Sequence, residues 1–388
     1  MNVNNFDLLR LVLASVVVLV HARVLSNSTE LSFLTRWLNS DYAVHGFFVI
    51  SGFLICRSYE GSHSFWHYCV KRARRLLPGY ISVVLLGVLL GLFVTRYSPF
   101  EYLSDPATFK YVVFNLSFLN FLQPSLPGVF EANHFGQAVN GSLWSIRTEI
   151  LCYLLVPLLW QAATWVSLRT AAFASVLLFT FLNMATHWVD NSMSPAMVGM
   201  VRLGICECGQ CFAVGAVAYS MRDRLQGRGF GYASIICLAM LALGLLDTPW
   251  IRLILGPWIL GVSVLGVGLA FPYLGNWTRH GDYSYGIYVI HFPVIQLLVS
   301  RGMFQFAPGL ALFTTVCITL ALAALSWHFI ELPWLTKGNH YRQSTETPSS
   351  VIFSLLERDG DMRSLNATRA NLASESGERE SNDERRAA

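Results

Sequence analysis

Leu8-Leu9-Arg10-Leu11-Val12-Leu13-Ala14-Ser15-Val16-Val17-Val18-Leu19-Val20-His21-Ala22 sets the class of this chain. Of the ten residues between Arg10 and His21, Ser15 alone is not apolar. On a helix, that eleven-residue step returns to within ~20° of its starting azimuth and rises ~16 Å, so the two ionisable groups share a side at opposite ends. Two readings are open. In one, the pair marks a polar track through a membrane, because ionisable side chains inside a bilayer usually face protein or a water-filled path. In the other, Arg10 is a charge anchor at the cytoplasmic face and His21 an interfacial residue.

Composition excludes a soluble enzyme. Charged residues make up 13% of the 388 and hydrophobic residues 54%, against roughly 25% charged in an average soluble domain. Apolar stretches near 7–25, 42–60, 76–95, 146–167, 170–187, 202–220, 230–246, 251–271, 283–301 and 309–332 predict an all-α, polytopic membrane protein with about ten transmembrane helices. A shorter apolar piece around 111–122 reads as re-entrant or interfacial. From Gln343 onward Ser, Thr, Glu, Arg and Asn dominate, and such sequence buries too little apolar surface to fold alone. The expected division is a membrane domain over 1–335 and a disordered, polar tail over 336–388.

Arg57, Lys71, Arg72, Arg74, Arg75, Arg169, Arg222, Arg224, Arg228, Arg279, Lys337 and Arg342 fall between alternate spans, which predicts N- and C-termini in the cytoplasm. His21 then lies toward the outer face. The stretch 96–145 becomes the main extracytoplasmic loop.

Lys71-Arg72-Ala73-Arg74-Arg75-Leu76-Leu77-Pro78 concentrates four cations in five positions. Clustered arginines suit phosphate oxygens; runs of this kind also touch anionic lipid head groups. Ser142-Leu143-Trp144-Ser145-Ile146-Arg147-Thr148-Glu149, followed by Tyr153, brings Ser145, Glu149 and Tyr153 onto one helical stripe. A carboxylate there can orient an imidazole and balance its charge, or pair with Arg147 or Arg202. Cys206-Glu207-Cys208-Gly209-Gln210-Cys211 lacks a second ligand group at zinc-like spacing and reads as helix packing, so no metal is expected. His291 and Glu331 each admit a structural role. Ser51 and Gly52 suggest close helix approach, and Ser51 has no base at a spacing that would make it a nucleophile. Tyr283, Tyr285, Tyr288, Trp327 and Trp334 read as interface aromatics.

Together these segments resemble the acyltransferase 3 family of integral membrane acyltransferases. Arg10 and His21 are similar to its Arg-x10-His signature, and Phe47-Phe48-Val49-Ile50-Ser51-Gly52-Phe53-Leu54 to its second-helix motif. Arg72 to Pro78 resembles its basic segment, and Ser142 to Tyr153 its S-L-W-S run. Tyr283 to Pro293, with His291, and Ser326 to Pro333, with Glu331, resemble its closing motifs. His45 stands where many relatives carry an acidic residue.

The resemblance implies transfer of an acyl group, most often acetyl, from cytoplasmic acyl-CoA to a hydroxyl of an extracytoplasmic carbohydrate at a bacterial inner membrane. Acyl-CoA enters as co-substrate, with no permanently bound cofactor. Under it, Arg72, Arg74 and Arg75 hold the CoA phosphates and Arg10 assists at the inner mouth. Ser142, Trp144 and Tyr153 belong to the substrate-binding set. His21 is the base, or carries the acyl group itself, and Glu149 orients it; His291 and Ser51 stand as further site candidates. Membrane lipid, acyl-CoA and a carbohydrate are the expected partners, and nucleic acid is not. A transporter or flippase of an envelope glycan is the competing class, and a structural member of an envelope-assembly complex a third. An enzyme with an inactivated His21 loses only the ester, whereas the other two classes still export or assemble an unmodified glycan.

Overall fold

The computed structural model describes residues 4–188, 198–225, 227–245 and 248–335. Those residues form helices joined by short connections and one long loop, with a lone antiparallel bridge between Ser125 and Ala138. The polar tail expected over 336–388 lies outside the described residues.

The order is α1 (Phe6–Ser26), α2 (Ser32–Trp37), α3 (Ser40–Glu60), α4 (Phe65–Val94), α5 (Pro99–Ser104), α6 (Pro106–Leu116), α7 (Trp144–Ala163) and α8 (Leu168–Trp188). A π-helical segment, Met200–Glu207, then runs into α9 (Cys208–Ser220). The remainder are α10 (Arg228–Ala242), α11 (Pro249–Ile254), α12 (Gly256–Leu269), α13 (Ser284–Ser300), α14 (Met303–Phe306) and α15 (Pro308–Ser326), with a closing π turn over Trp327–Glu331.

Local chemistry sets several of these boundaries. Asn39 accepts the Asp41 and Tyr42 amides to start α3, and Ser98 with Glu101 forms a reciprocal capping box on α5. Asn27 closes α1 in the left-handed region at φ 52°, a conformation Asn tolerates better than most residues.

Among the described residues, six helical stretches are long and apolar enough to cross a membrane: Phe6–Ser26, Phe65–Val94, Gly141–Ala163, Leu168–Thr186, Met200–Ser220 and Pro308–Trp334. Three apolar helices, α10, α12 and α13, are shorter, and at ~1.5 Å per residue they fall below the ~30 Å of a hydrocarbon core. The 21-residue α3 has the length, but Asp41, His45, Ser51 and Arg57 break its apolar character. Helices thus occupy the ten apolar stretches, and fewer than ten of them meet the length and apolarity of a simple span. The basic run also differs from expectation: it is not in a loop, because α4 begins at Phe65 and carries Lys71 to Arg75 within its 30 residues.

The core is built on two helix pairs. Helix α3 lies against α9, and α1 lies between α3 and α13. The first pair touches backbone to backbone. A Cβ on Gly52 would stand 2.0 Å from the Phe212 carbonyl oxygen, and one on Gly215 would stand 2.2 Å from that of Val49. The close approach expected at Ser51 and Gly52 is therefore real and is directed at α9. Cys206, Cys208 and Cys211 are buried in this packing with free thiols.

Candidate functional site

Two polar assemblies flank α1, one at each end. At the Arg10 end, five ionisable groups from four places in the chain converge. Arg75 donates from Nη2 to Asp282 Oδ2 at 2.7 Å and from Nη1 to Glu331 Oε2 at 2.8 Å. Arg10 pairs with Asp7, one helical turn before it, and stands 3.6 Å from Asp282 Oδ2. Hydroxyls complete the shell: Thr278 donates to Asp7, Ser284 to Asp282 and Ser326 to Glu331. The Arg75 guanidinium also lies 5.5 Å from the Trp327 ring and 5.6 Å from that of Tyr285, within cation–π range.

Burial raises the Asp282 carboxyl, and Arg10, Arg75 and the Ser284 hydroxyl lower it; the balance leaves it below the ordinary carboxylate range. Trp327, expected at a membrane interface, is instead fully buried beneath Arg75, and Tyr288 is buried as well.

At the other end, His21 Nδ1 lies 2.8 Å from His291 Nε2, with the rings stacked at 5.0 Å between centroids. His291 is completely buried, and its Nδ1 lies 3.1 Å from the Ile287 carbonyl oxygen. Hydrogen-bond logic then assigns the protons. A carbonyl only accepts, so His291 Nδ1 carries the hydrogen. In neutral His291, Nε2 is then the acceptor, and His21 Nδ1 must donate to it. The consequence is a lone pair on His21 Nε2, the form a base or nucleophile requires. Phe292 stands edge-on to the His21 ring at 5.8 Å.

Polar groups continue between the two ends. Tyr288, whose ring lies 6.1 Å from that of His291, shares a 2.7 Å hydrogen bond with Ser145. One turn along α7, Glu149 accepts a 2.5 Å hydrogen bond from Tyr153 and lies within electrostatic range of Arg75, Arg72 and Arg10. Ser145, Glu149 and Tyr153 therefore do form one stripe. The hydrogen-bond partner of His21 is His291, while Glu149 answers to Tyr153 and the arginines. Arg147 stacks on Phe121, and Arg202 bonds Thr186.

The remaining sequence candidates separate. Ser142 bonds Asn140, whose amide donates to Val289, so it ties the 117–143 loop to α13. Trp144 packs beside Gly204 on the π-helical segment. Arg74 is exposed, and Arg72 is partly buried with an Nε that has no hydrogen-bond partner. Ser51 is partly buried on α3 and enters neither assembly. Sequence reasoning gave no role to Asp7, Asp282 or Ile287, and placed Tyr288 at a membrane interface. Asp7, three residues before Arg10, carried the one local signal.

The chain is 26% identical over 345 residues to an O-acetyl transferase of Shigella phage Sf6, covering 87% of this chain and 97% of the phage protein. It is 28% identical over 365 residues to nodulation protein 10 of Rhizobium leguminosarum bv. viciae, covering 85% and 92%. No solved structure matches it. A family model described as an acyltransferase domain matches residues 3–328, a region that holds the His21 assembly and, Glu331 apart, the Arg10 assembly, and the chain belongs to the acyltransferase 3 family.

Proposed function

We propose that this membrane acyltransferase moves an acetyl group from cytoplasmic acetyl-CoA to a hydroxyl of an extracytoplasmic carbohydrate, an O-antigen, exopolysaccharide or related glycan, across a bacterial inner membrane with both termini inside. The observation that carries the reading is the 2.8 Å contact of His21 Nδ1 with His291 Nε2, which leaves His21 Nε2 free to act as a base at the far end of a polar track that starts among arginines. The name of the phage relative, O-acetyl transferase, supports acetyl as the group and oxygen as its acceptor.

In this mechanism Arg72 and Arg74 hold the CoA phosphates. Arg10 and Arg75, already engaged by Asp7, Asp282 and Glu331, shape the mouth through which the pantetheine arm extends toward His21. His21 Nε2 takes the proton of the sugar hydroxyl as its oxygen attacks the thioester carbonyl. The C–S bond breaks, and the imidazolium returns the proton to the departing thiolate. His291 holds the His21 ring through Nδ1 in both states, and Glu149 balances charge in the track.

The test is the ester content of the cell's surface glycan, by proton NMR before and after mild alkali. The strains are a deletion complemented with wild type or His21→Ala at matched membrane levels. Wild type restores alkali-labile acetyl signals, and His21→Ala reduces them by at least about a hundredfold, within the range of a lost general base. Equal restoration by the variant overturns the His21 mechanism. No ester difference together with altered glycan export overturns the enzyme reading in favour of a transporter.

A further inference from the structure

A second set of ionisable and polar side chains gathers at the His21 end of the bundle, on the other face of α7, and the reaction above makes no use of it. His45, on α3, has its Nε2 3.4 Å from Glu207 Oε2 on the π-helical segment, without a hydrogen bond. Arg252, on α11, stands 3.8 Å from Asp41 Oδ2 and 5.4 Å from the Tyr42 ring. Arg252, Asp41 and Arg202 all act electrostatically on Glu207. From α7, Thr148 brings a hydroxyl that is buried and has no hydrogen-bond partner. Gly204, on the π segment, packs beside it: a Cβ there would stand 3.5 Å from Thr148 Oγ1 and 3.7 Å from the Trp144 ring.

Three independent features make this more than a surface ion network. Ionisable residues on helices of this kind mark binding or transport sites by default. A π-helical turn inside an apolar helix costs hydrogen-bond geometry and recurs at functional positions. Two buried polar atoms, His45 Nε2 and Thr148 Oγ1, make no hydrogen bond, and such atoms need an explanation because a missing bond costs ~1–3 kcal/mol.

The chemistry narrows the ligand. Asp41 and Glu207 against Arg202 and Arg252 sum to no net charge, so an anionic or cationic ligand gains nothing over a neutral one. The set offers both donors and acceptors, which suits groups that both give and accept a hydrogen bond, as hydroxyls do. The Asp41 and Arg252 side chains are about half exposed, at 48% and 47%, whereas that of His45 is 9% exposed. The set therefore runs from half-exposed side chains to a buried one. Helix α7 links it to the chemistry, because Trp144 and Thr148 pack beside Gly204 on the π segment that carries Glu207, while the neighbouring Ser145 bonds Tyr288 beside His291.

We infer that Asp41, His45, Thr148, Glu207 and Arg252, flanked by Arg202 and Trp144, form the binding site for the hydroxyl-rich acceptor, a neutral stretch of carbohydrate. This inference rests on the acetyl-transfer reading above.

The experiment uses the full chain purified into lipid nanodiscs, acetyl-CoA as donor, and alkali-deacylated surface glycan from the deletion strain as acceptor. Glu207→Gln raises the acceptor KM about tenfold and leaves the acetyl-CoA KM within about twofold, as expected for a lost charged hydrogen bond. Thr148→Val keeps the side-chain shape and removes only the hydroxyl. It raises the acceptor KM about threefold with a thermal unfolding midpoint equal to or above that of wild type.

An unchanged acceptor KM in both variants overturns the site while leaving the acetyl-transfer reading intact. A rise in the acetyl-CoA KM instead assigns the set to the donor and overturns the site equally. A lowered midpoint in Thr148→Val makes the hydroxyl structural and overturns its role. A wild-type protein that transfers no acetyl to the glycan defeats the reading itself, and the inference with it.

Discussion

The two ends of α1 solve opposite problems with similarly buried groups. At the Arg10 end every carboxylate has an arginine and a hydroxyl. Asp282 has Arg75, Arg10 and Ser284, Glu331 has Arg75 and Ser326, and Asp7 has Arg10 and Thr278. At the His21 end a chain of three groups, Ile287 carbonyl, His291 and His21, leaves one lone pair unspent. Closure gives the first assembly its stability. Incompleteness is what the proposed chemistry draws on in the second. The same contrast separates a buried ion network, whose value lies in having all its members, from a site whose value lies in the one position it leaves open.

The sharpest way to break the comparison is to remove the hub of the closed end. Arg75→Met leaves Asp282 and Glu331 short of their shared partner. It lowers stability by about 3–5 kcal/mol, the cost of breaking a buried pair from one side, read as a fall in thermal midpoint and in folded yield from membranes. Arg75→Lys recovers little, because one ammonium does not reproduce a two-pronged fork between two carboxylates. Adding Glu331→Gln to Arg75→Met restores part of the loss by removing one orphaned charge.

Next in size is the open end. His291→Phe keeps an aromatic ring but removes the acceptor for His21 Nδ1. It lowers the turnover number about a hundredfold, equivalent to about 2.7 kcal/mol, with little change in acetyl-CoA KM. His291→Gln, whose amide oxygen accepts a hydrogen bond, recovers a measurable share. Equal losses in the two variants would reduce His291 to a packing residue.

The smallest expected effect is on pH dependence. Asp282 holds its proton less tightly in the folded protein than an ordinary carboxyl. Its contribution to stability is therefore complete above the unfolded carboxyl value of ~3.9 and is lost as pH falls through the lower folded value. A thermal-midpoint series from neutral to acid pH falls at the acid end for wild type and is flatter there for Asp282→Asn.

These contrasts also mark what the chain reveals before it folds. Apolar stretches and their flanking cations announce a helical membrane protein, because hydrocarbon imposes a length and a composition on any segment that crosses it. Arg10 and His21 are legible as a pair because they lie on one helix. His291 is not legible as the partner of His21, since it is 270 residues away and nothing local distinguishes it from Glu149. Arg75 reads as one cation among four, and its carboxylates, 207 and 256 residues distant, leave no trace in its neighbours. Trp327 has the composition of an interface residue, and tertiary packing under Arg75 gives it a different place.

The glycine contact between α3 and α9 has one more effect, on how positional error spreads. Where side chains meet, a change of one atom is absorbed by a shift of rotamer, and the backbones stay put. Where Gly52 meets the Phe212 carbonyl and Gly215 meets that of Val49, no rotamer exists to absorb anything. The crossing is a fixed joint, and distances along both helices are measured from it. His45 and Glu207 lie about two turns away on their respective chains, so their spacing is inherited from the joint rather than adjusted locally. A single added methyl at Gly52 would reach them as a displacement, without touching either residue.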